Sequence, residues 1–472
     1  MKNTNLPFDS KGKIFQWGPV PGKFLYCSVF TDVHYKYFRA KYNENWSETL
    51  WLFRNDRMFW VNNQNDIESA GEKVFLRYLL PTESRENIYK EWQKYSNQLL
   101  TLEKEIDNTE LAKLSNDELK NLWTKFHNDY INFWVTGSIP ELANYGSESY
   151  LRKRLSETIK DDASITEIME VLTAPTRLSF YQEEEIDLSK TNDLKSHQQK
   201  YFWLKNSYAG TEVLPVSFFE ERKSKIVDSL ETKANAKIIE TIEKKKSIQK
   251  KYSLSNEIMD IGLAISDGVG WQDERKKYIF MILHYEDVML NEVARRFYYN
   301  YDELHLAWYF EIGSIIDGVN LHKKLETRKT GFGVQFFHDC RELDAQETEY
   351  FWNTYETKKD ETLKEIKGIV ASKGKATKTQ GIVHILLDPT KSDGFKDGEV
   401  LVAPMTSPEY IFAMKKAGAV ITDTGGLTSH AAIVSRELNI PCVVGAKGGT
   451  LIFKDGDRVE IDTTNGVVKL VK

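Results

Sequence analysis

The sequence predicts a multidomain protein with a mainly α-helical N-terminal and central region, a small α+β segment at its start, and a C-terminal α/β domain. The chain has 472 residues, more than one ordinary hydrophobic core accommodates. All 11 tryptophans lie at or before Trp352, whereas 13 of the 27 glycines lie at or after Gly368. Helical periodicity dominates before residue 365, and short β-branched runs follow it.

The change in composition near residue 365 indicates a domain boundary, which the charged stretch ETKKDETLKEIKG crosses. Before residue 80, short aromatic runs alternate with Gly, Pro and Asn turns, a pattern typical of strands and tight connections. We therefore expect a small β-containing or α+β segment at 1–80, a helical scaffold or acceptor-binding domain at 81–365, and an α/β domain at 366–472.

The central region shows clear helix signals. The stretch SNDELKNLWTKFHNDYINFW opens with a capping box, Ser115 with Glu118, and then repeats apolar residues at helical spacing. A Lys/Glu-rich stretch from Glu220 to about Lys251 predicts one long solvated helix. These patterns favour a helical scaffold for most of the chain.

The last hundred residues alternate strand and helix patterns. The predicted strands are GIVHILL, EVLVAPM, AGAVITD, PCVVG, DRVEID and GVVKLV, and the predicted helices are SPEYIFAMKKAG and SHAAIVSREL. Ser407 is a natural N-cap for the first helix, and Pro408 suits its first position. Asn439, followed by Ile440 and Pro441, ends the second helix. This pattern predicts a compact α/β domain.

Composition excludes several classes of protein. No run of about 18 apolar residues and no signal-peptide pattern is present, so no membrane association is expected. The three cysteines lie far apart without a CxxC pair, which fits a reducing cytoplasm. A net charge of -6 argues against nucleic acid as the main partner.

His430 has the surroundings that most strongly indicate chemistry. It opens the apolar segment HAAIVSREL, directly after Thr428 and Ser429, either of which can cap a helix. The first turn of a helix presents unpaired N–H groups and the positive end of the helix dipole, which disfavour an imidazolium and favour an anion. His430 is therefore predicted to be a neutral nucleophile that takes up and carries a phosphoryl group.

The residues before His430 suit a phosphate. Gly425 and Gly426 allow the backbone to approach it closely, and the hydroxyl groups of Thr428 and Ser429 can donate hydrogen bonds to it. A histidine that only packs at a helix start is the simpler alternative. The order Gly-Gly-x-Thr-Ser-His-Ala-Ala between a strand and an amphipathic helix favours the phosphate-carrying interpretation.

The segment VLVAPMTSPEYIFAMKKAGAVITDTGGLTSHAAIVSRELNIPCVVG closely resembles the swivelling phosphohistidine domain of phosphoenolpyruvate-utilising enzymes. That family includes phosphoenolpyruvate synthase, pyruvate phosphate dikinase and the related rifampicin phosphotransferase, and the resemblance runs from Ile369 to Val471. It implies that His430 accepts a phosphoryl group derived from the β-phosphate of ATP and swings to a second site to deliver it. Thr428 matches a regulatory phosphorylation site of some dikinases, although a purely capping role fits equally well.

An ATP-grasp domain, which supplies the nucleotide site in such relatives, is not recognisable before residue 365. The nearest glycine pair, in KTGFGVQFF, is a weak signal. A phosphoenolpyruvate-binding barrel after the histidine domain is also not recognisable. The resemblance therefore implies a separately encoded ATP-grasp partner, with ATP and Mg²⁺ bound by that partner.

Candidate acceptor-binding residues lie in the helical region. His197, Tyr201 and Trp203 could line a pocket in which the aromatic rings stack on a planar substrate, and Arg275 at a predicted helix start joins them. Helix–helix core for the aromatic group, and a solvated helix face for Arg275, are the alternatives. The histidine spacing indicates no metal site in this chain.

The sequence thus predicts a cytoplasmic phosphotransferase component that needs an ATP-grasp partner. Its acceptor is left open between pyruvate, an antibiotic-like aromatic molecule and another protein. The main alternative is a non-catalytic phosphocarrier or regulatory protein whose helical half docks a protein partner. A scaffold whose histidine is never phosphorylated is a third interpretation, which the intact motif disfavours.

Overall fold

The computed structural model describes residue 8 and residues 12–226, 229–356 and 362–471. It is 58% helical, with a small sheet near the start of a mostly helical region and an α/β region at the C-terminus. The predicted fold class is confirmed. Residues 357–361 of the predicted linker and Val227 of the Lys/Glu-rich stretch lie outside the described ranges. In the part of the chain that is described, no helix has an apolar stretch sufficient to span a lipid bilayer.

Helices make up most of the described residues before residue 356, and a few short ones lie in the C-terminal α/β region. The α-helices are α1 (Phe24–Asp32), α2 (Phe38–Tyr42), α3 (Gln64–Val74), α4 (Thr82–Asp107), α5 (Asn116–Ser156), α6 (Asp162–Leu172), α7 (Phe180–Lys190), α8 (Leu194–Tyr201), α9 (Val216–Ser224), α10 (Leu230–Tyr252), α11 (Asn256–Phe297), α12 (Tyr301–Leu304), α13 (Tyr309–Ile316), α14 (His322–Arg328), α15 (Ala345–Tyr355), α16 (Ile411–Met414), α17 (His430–Leu438) and α18 (Gly449–Ile452). Short π-helical segments are Val33–Tyr37 and Phe75–Leu79, and 3₁₀ segments are Leu111–Lys113, Pro389–Gly394 and Pro408–Tyr410.

The strands form two sheets. They are β1 (Ile14–Pro21), β2 (Thr49–Arg54), β3 (Arg57–Asn63), β4 (Phe332–Phe336), β5 (Cys340–Leu343), β6 (Glu365–Lys367), β7 (Ile369–Ser372), β8 (Lys378–Ile385), β9 (Val400–Ala403), β10 (Ala419–Thr422), β11 (Cys442–Val444), β12 (Arg458–Asp462) and β13 (Val467–Leu470).

The chain divides into two compact units. Of the described residues, the helical unit takes those within Met1–Ile14, Gly22–Met58 and Asn62–Phe351, and the C-terminal unit takes those within Phe15–Pro21, Phe59–Val61 and Trp352–Lys472. The division into three domains at 1–80, 81–365 and 366–472 stays a prediction.

The first sheet has the strand order β1-β3-β2-β4-β5. Strand β4 pairs antiparallel with β2, with Val334 opposite Trp51, and also with β5. Strands β4 and β5 were not expected, because the stretch KTGFGVQFF lies in the region predicted to be helical. Its glycine pair therefore belongs to a strand and its preceding turn, where Gly331 has a φ of +137°.

Helix α5 is central to the helical unit and packs against α3, α4 and α11. Its predicted capping box is confirmed, since the Ser115 hydroxyl and the Glu118 backbone and carboxylate are reciprocally bonded. Glycine lets α3 approach it closely: a Cβ on Gly146 would lie 2.2 Å from the backbone nitrogen of Glu72. The predicted long helix from Glu220 is wrong in extent, because α9 ends at Ser224 before α10 begins.

The second sheet has the order β6-β13-β12-β8-β9-β10-β11-β7. Strands β8, β9, β10 and β11 are parallel neighbours, whereas β7 and β12 pair antiparallel with β11 and β8. Val400, Val402, Ile421 and Val443 of these strands lie in one buried cluster. This cluster is the core of the C-terminal unit and fixes the strand ends.

The predicted strands of this unit are confirmed, as is the helix that begins at His430. Asn439 ends that helix in the left-handed conformation, with a φ of +54°. The helix predicted after Ser407 is shorter than expected, a 3₁₀ turn followed by α16, and the Ser407 side chain makes no capping hydrogen bond. Short strands β6 and β7 and helix α18 were not predicted.

Candidate functional site

His430 lies at the carboxyl edge of the parallel strands. In the sheet, Thr422 at the end of β10 pairs with Ala403 at the end of β9, so the loops that follow the two strands start side by side. The loop after β10 leads through the glycine pair to His430, the first residue of α17. Loops at this edge of parallel sheets commonly bind ligands.

Ser429 caps helix α17. Its Oγ accepts a hydrogen bond from Ala432 N at 3.4 Å and donates one to the Gly426 carbonyl oxygen at 2.7 Å. The cap places the half-buried imidazole of His430 in the first turn, at the positive end of the helix dipole. The prediction that Thr428 or Ser429 caps this helix is therefore confirmed for Ser429.

Thr406 contacts the imidazole from the loop after β9. Its Oγ1 lies 3.0 Å from His430 Nδ1, and the Thr406 side chain is buried. A hydroxyl group can accept a hydrogen bond from Nδ1–H or donate one to an unprotonated Nδ1, so the contact suits either neutral tautomer of the ring. Sequence reasoning missed Thr406, although its place just after a predicted strand could have indicated it.

The glycine pair fits the role of a backbone that approaches a ligand. Gly425 is exposed and has a φ of +119°, a conformation that side chains rarely allow. A Cβ on Gly425 would lie 3.1 Å from Ser429 Oγ, so glycine also keeps the cap intact. Gly426 contributes its carbonyl oxygen, which accepts from Ser429 N at 3.1 Å.

The hydroxyl groups of Thr428 and Ser429 were expected to bind phosphate, and the fold itself constrains both residues. Ser429 uses its hydroxyl hydrogen for Gly426, and Thr428 is buried. Of the four residues predicted to bind phosphate, Gly425 is the one with an exposed backbone in the left-handed region of φ. Phosphate binding by any of the four stays a prediction.

Asp423 is a half-buried carboxylate at the start of the histidine loop. Burial raises its pKa from the ordinary 3.8 to about 6, and hydrogen bonds from Thr450 and from the Gly449 backbone oppose that shift. The residue was not predicted to matter, because a single aspartate after a strand has no distinctive pattern.

The predicted acceptor-binding residues are buried in the helical unit and bonded to their neighbours. His197 Nε2 lies 2.9 Å from Glu184 Oε1, and the ring centroids of His197 and Tyr201 are 4.7 Å apart. Trp203 Nε1 donates to the Lys200 carbonyl oxygen at 3.0 Å. These contacts account for the aromatic group as packing, and acceptor binding stays a prediction.

Arg275 belongs to helix α11. It is 2% exposed, donates to the Gly137 carbonyl oxygen and to Glu141, and lies over the ring of Trp134 at 4.7 Å. The expectation of a solvated helix face is therefore wrong for Arg275, because its charge is paired inside the unit. Across the described ranges, no group of three or more His, Cys, Asp and Glu side chains is arranged to hold a metal ion.

Comparison with known proteins places this site in a family. Residues 395–466, which include Thr406, Asp423 and His430, match the family model described as PEP-utilising enzyme, mobile domain. The chain carries a phosphoenolpyruvate-utilising mobile domain. The resemblance inferred from the histidine motif is thereby confirmed for this part of the chain.

Relatives that match the mobile domain include proteins named phosphoenolpyruvate synthase and one named a phosphotransferase. Phosphoenolpyruvate synthase of Pyrococcus furiosus is 50% identical over 103 residues, which are 22% of this chain and 12% of that protein. A Bacillus subtilis protein named Uncharacterized phosphotransferase YvkC is 43% identical over 110 residues, 23% of this chain and 13% of that protein. The chain thus matches only a small share of these relatives' length, namely the mobile domain.

Among solved structures, aconitase X of Thermococcus kodakaraensis in its holo-form matches 23% of this chain and 98% of that chain. The identity is 23% and the TM-score is 0.19, so this likeness carries no conclusion about fold or function.

Proposed function

We propose that the chain is a component of a phosphotransferase and carries a phosphoryl group on His430. The single observation that carries the proposal is the contact of His430 Nδ1 with Thr406 Oγ1 at 3.0 Å, in the first turn of α17. Because Nδ1 is engaged by Thr406, we assign the attack on phosphorus to the other ring nitrogen, Nε2.

In the proposed step, Nδ1 keeps the ring proton and donates a hydrogen bond to Thr406 Oγ1, so that Nε2 carries the lone pair that attacks phosphorus. The Nε2–P bond forms while the P–O bond to the leaving group breaks, and the electron pair stays on the leaving oxygen. The dianionic phosphoryl group then lies near the N–H groups of α17 and the exposed backbone of Gly425, which stabilise negative charge.

The phosphoryl donor in this proposal is ATP, bound with Mg²⁺ by an ATP-grasp protein on a separate chain. The resemblance to phosphoenolpyruvate-utilising enzymes supports this assignment. Magnesium would neutralise the charge of the nucleotide phosphates during transfer. A cytoplasmic location, where ATP is available, belongs to the same proposal.

The direct test uses phosphoramidate, a small phosphoryl donor that needs no partner protein. We expect an acid-labile phosphate on the wild-type chain, mapped to His430 by peptide mass spectrometry, and its loss in His430→Ala. His384→Ala is a matched control, because His384 lies in the same unit at the end of β8 and pairs with Glu399 at 2.9 Å. Equal labelling of wild type and His430→Ala would overturn the proposal.

A second candidate is a phosphocarrier whose helical half docks a protein. The internal pairing of His197 with Glu184 and of Arg275 with Glu141 favours it, because those side chains are the predicted lining of a small-molecule site. Radiolabelled protein chased with a lysate, and with the same lysate depleted of proteins by filtration, separates the two. Transfer that survives filtration supports a small-molecule acceptor, and transfer that requires the protein fraction supports the carrier.

A further inference from the structure

Asp423 joins the histidine loop to the loop that follows β11. Its Oδ1 accepts a hydrogen bond from Thr450 N at 3.1 Å, and its Oδ2 accepts one from Thr450 Oγ1. Thr450 lies in the first turn of α18, directly after Gly449. A Cβ on Gly449 would lie 3.1 Å from Asp423 Oδ1, so this contact needs the small residue. We call this pair of residues the clasp.

The backbone beside the clasp also fixes the loop that carries Thr406. Asp423 N donates to the Ala403 carbonyl oxygen at 3.1 Å. Thr424 donates twice to the Pro404 carbonyl oxygen, from N at 3.0 Å and from Oγ1 at 3.1 Å. Because Pro404 lies two residues before Thr406, the position of Asp423 sets the distance between Thr406 and the imidazole.

The clasp therefore joins the loops after three adjacent parallel strands, β9, β10 and β11. The loop after β11 also approaches the glycine pair, since a Cβ on Gly445 would lie 3.2 Å from the Gly425 carbonyl oxygen. At the far end of the histidine loop, Arg436 Nη2 donates to the Leu427 carbonyl oxygen at 2.7 Å. Both ends of the loop are thus held by charged side chains.

We propose that Asp423 and Thr450 are positioning residues for phosphoryl transfer through His430. The side chains of Asp423 and Thr450 are hydrogen-bonded to each other and not to the imidazole. They act by holding the His430 loop against the Thr406 loop, so that Thr406 Oγ1 meets Nδ1 and Nε2 keeps one direction. This inference rests on the proposed function. The second of the two measurements below can nevertheless be made without any phosphoryl transfer.

The variants are Asp423→Asn and Thr450→Val, with Thr450→Ser as the conservative variant that keeps the hydroxyl donor. The matched control is Asp462→Asn. Asp462 also accepts from backbone amides, Thr464 N at 2.8 Å and Asn465 N at 3.2 Å, but it pairs with Lys378 at the opposite edge of the sheet. The control therefore distinguishes the general effect of losing an aspartate that accepts backbone hydrogen bonds from the specific effect of losing the Asp423–Thr450 contact.

The first measurement is the rate constant for phosphorylation of His430 by phosphoramidate in the full-length chain. We expect a fall of about tenfold or more in Asp423→Asn and Thr450→Val, since small misplacements of a reacting group cost up to about 100-fold. Thr450→Ser and Asp462→Asn should phosphorylate at the wild-type rate. Wild-type rates of phosphorylation in Asp423→Asn and Thr450→Val would overturn the proposed role of the clasp.

The second measurement needs no phosphoryl transfer. In protein labelled with ¹⁵N-histidine, the ring nitrogen shifts of His430 should report one fixed tautomer in wild type and a mixture in Asp423→Asn and Thr450→Val. An unchanged tautomer in both variants would overturn the proposed positioning role of the clasp, whether or not phosphohistidine forms. If wild type gains no phosphate from phosphoramidate but the tautomer changes in the variants, the proposed function is wrong. The positioning role of Asp423 and Thr450 is then still supported.

Discussion

Histidines of the helical unit and His430 of the C-terminal unit differ in what their ring nitrogens contact. The buried ring of His127 faces the Glu286 carboxylate at 2.8 Å and the Trp123 carbonyl oxygen at 2.9 Å. His305 is held in the same way, by Asp287 and the Tyr301 carbonyl oxygen, both at 3.0 Å. Rings with oxygen partners on both nitrogens have no lone pair left for attack.

The Nδ1 atom of His430 contacts the hydroxyl group of Thr406. A carboxylate at that position would stabilise a charged ring and repel an incoming phosphoryl group, whereas a hydroxyl does neither. In this structure the rings of His127 and His305 thus face carboxylates, whereas Nδ1 of His430 faces a hydroxyl group.

The largest effect on stability is expected from His127→Ala. Glu286 is fully buried and its Oε2 has no hydrogen-bond partner, so removal of the ring leaves an uncompensated buried carboxylate. Breaking a buried pair in this way costs about 3–5 kcal/mol. Urea unfolding followed by circular dichroism should show the loss. The matched control is His322→Ala, whose half-exposed ring lies 3.5 Å from the Glu303 carboxylate and keeps contact with solvent, so we expect less than about 1 kcal/mol.

Thr406→Asp gives His430 the kind of partner that His127 has. We expect phosphorylation of His430 by phosphoramidate to fall about 100-fold, equivalent to roughly 2.7 kcal/mol in activation free energy. Thr406→Ser, which keeps the hydroxyl, should stay within about twofold of wild type, because the same hydrogen bond is retained. A Thr406→Asp protein that reacts at the wild-type rate would show that the neutral partner is unimportant.

The two regions also differ in which of their contacts could be predicted from the sequence. Strands β8 to β13 and the helix at His430 were predicted, because β-branched runs, glycines and Asn439 are local signals. Thr406 was missed because it contacts His430 across 24 residues of sequence. The pairing of His127 with Glu286 spans 159 residues, and the pairing of β4 with β2 joins parts of the chain that are still farther apart in sequence. No single-sequence pattern encodes such separations, so these contacts required the fold.

Asp423 and Asp462 should respond to pH with opposite sign. The pKa of Asp423 is raised to about 6, so the folded chain binds this proton more tightly than the unfolded chain. Its contribution to stability is therefore greatest at acidic pH and is lost as pH rises from about 4 through 6. The pKa of Asp462 is lowered by backbone hydrogen bonds, so its contribution is lost as pH falls below 4.

Hydrogen exchange of peptides from β10 and β12, corrected for intrinsic rates at each pH, measures this difference. Protection in wild type relative to Asp423→Asn should decrease between pH 4.5 and 7, a window set by the Asp423 pKa of about 6. Protection relative to Asp462→Asn should be constant across that window. A constant difference for Asp423→Asn as well would mean that its carboxylate does not titrate there.

The smallest effects are expected from the two serine caps, which have the same chemistry in different regions. Ser115 caps α5 in the helical unit, and Ser429 caps α17 before His430. Either substitution by alanine should cost about 1 kcal/mol of helix stability. Only Ser429→Ala should also slow phosphorylation, because its hydroxyl fixes the Gly426 carbonyl that shapes the loop. If Ser115→Ala slows phosphorylation equally, the loss reflects general destabilisation, and the cap of α17 has no separate part in the chemistry.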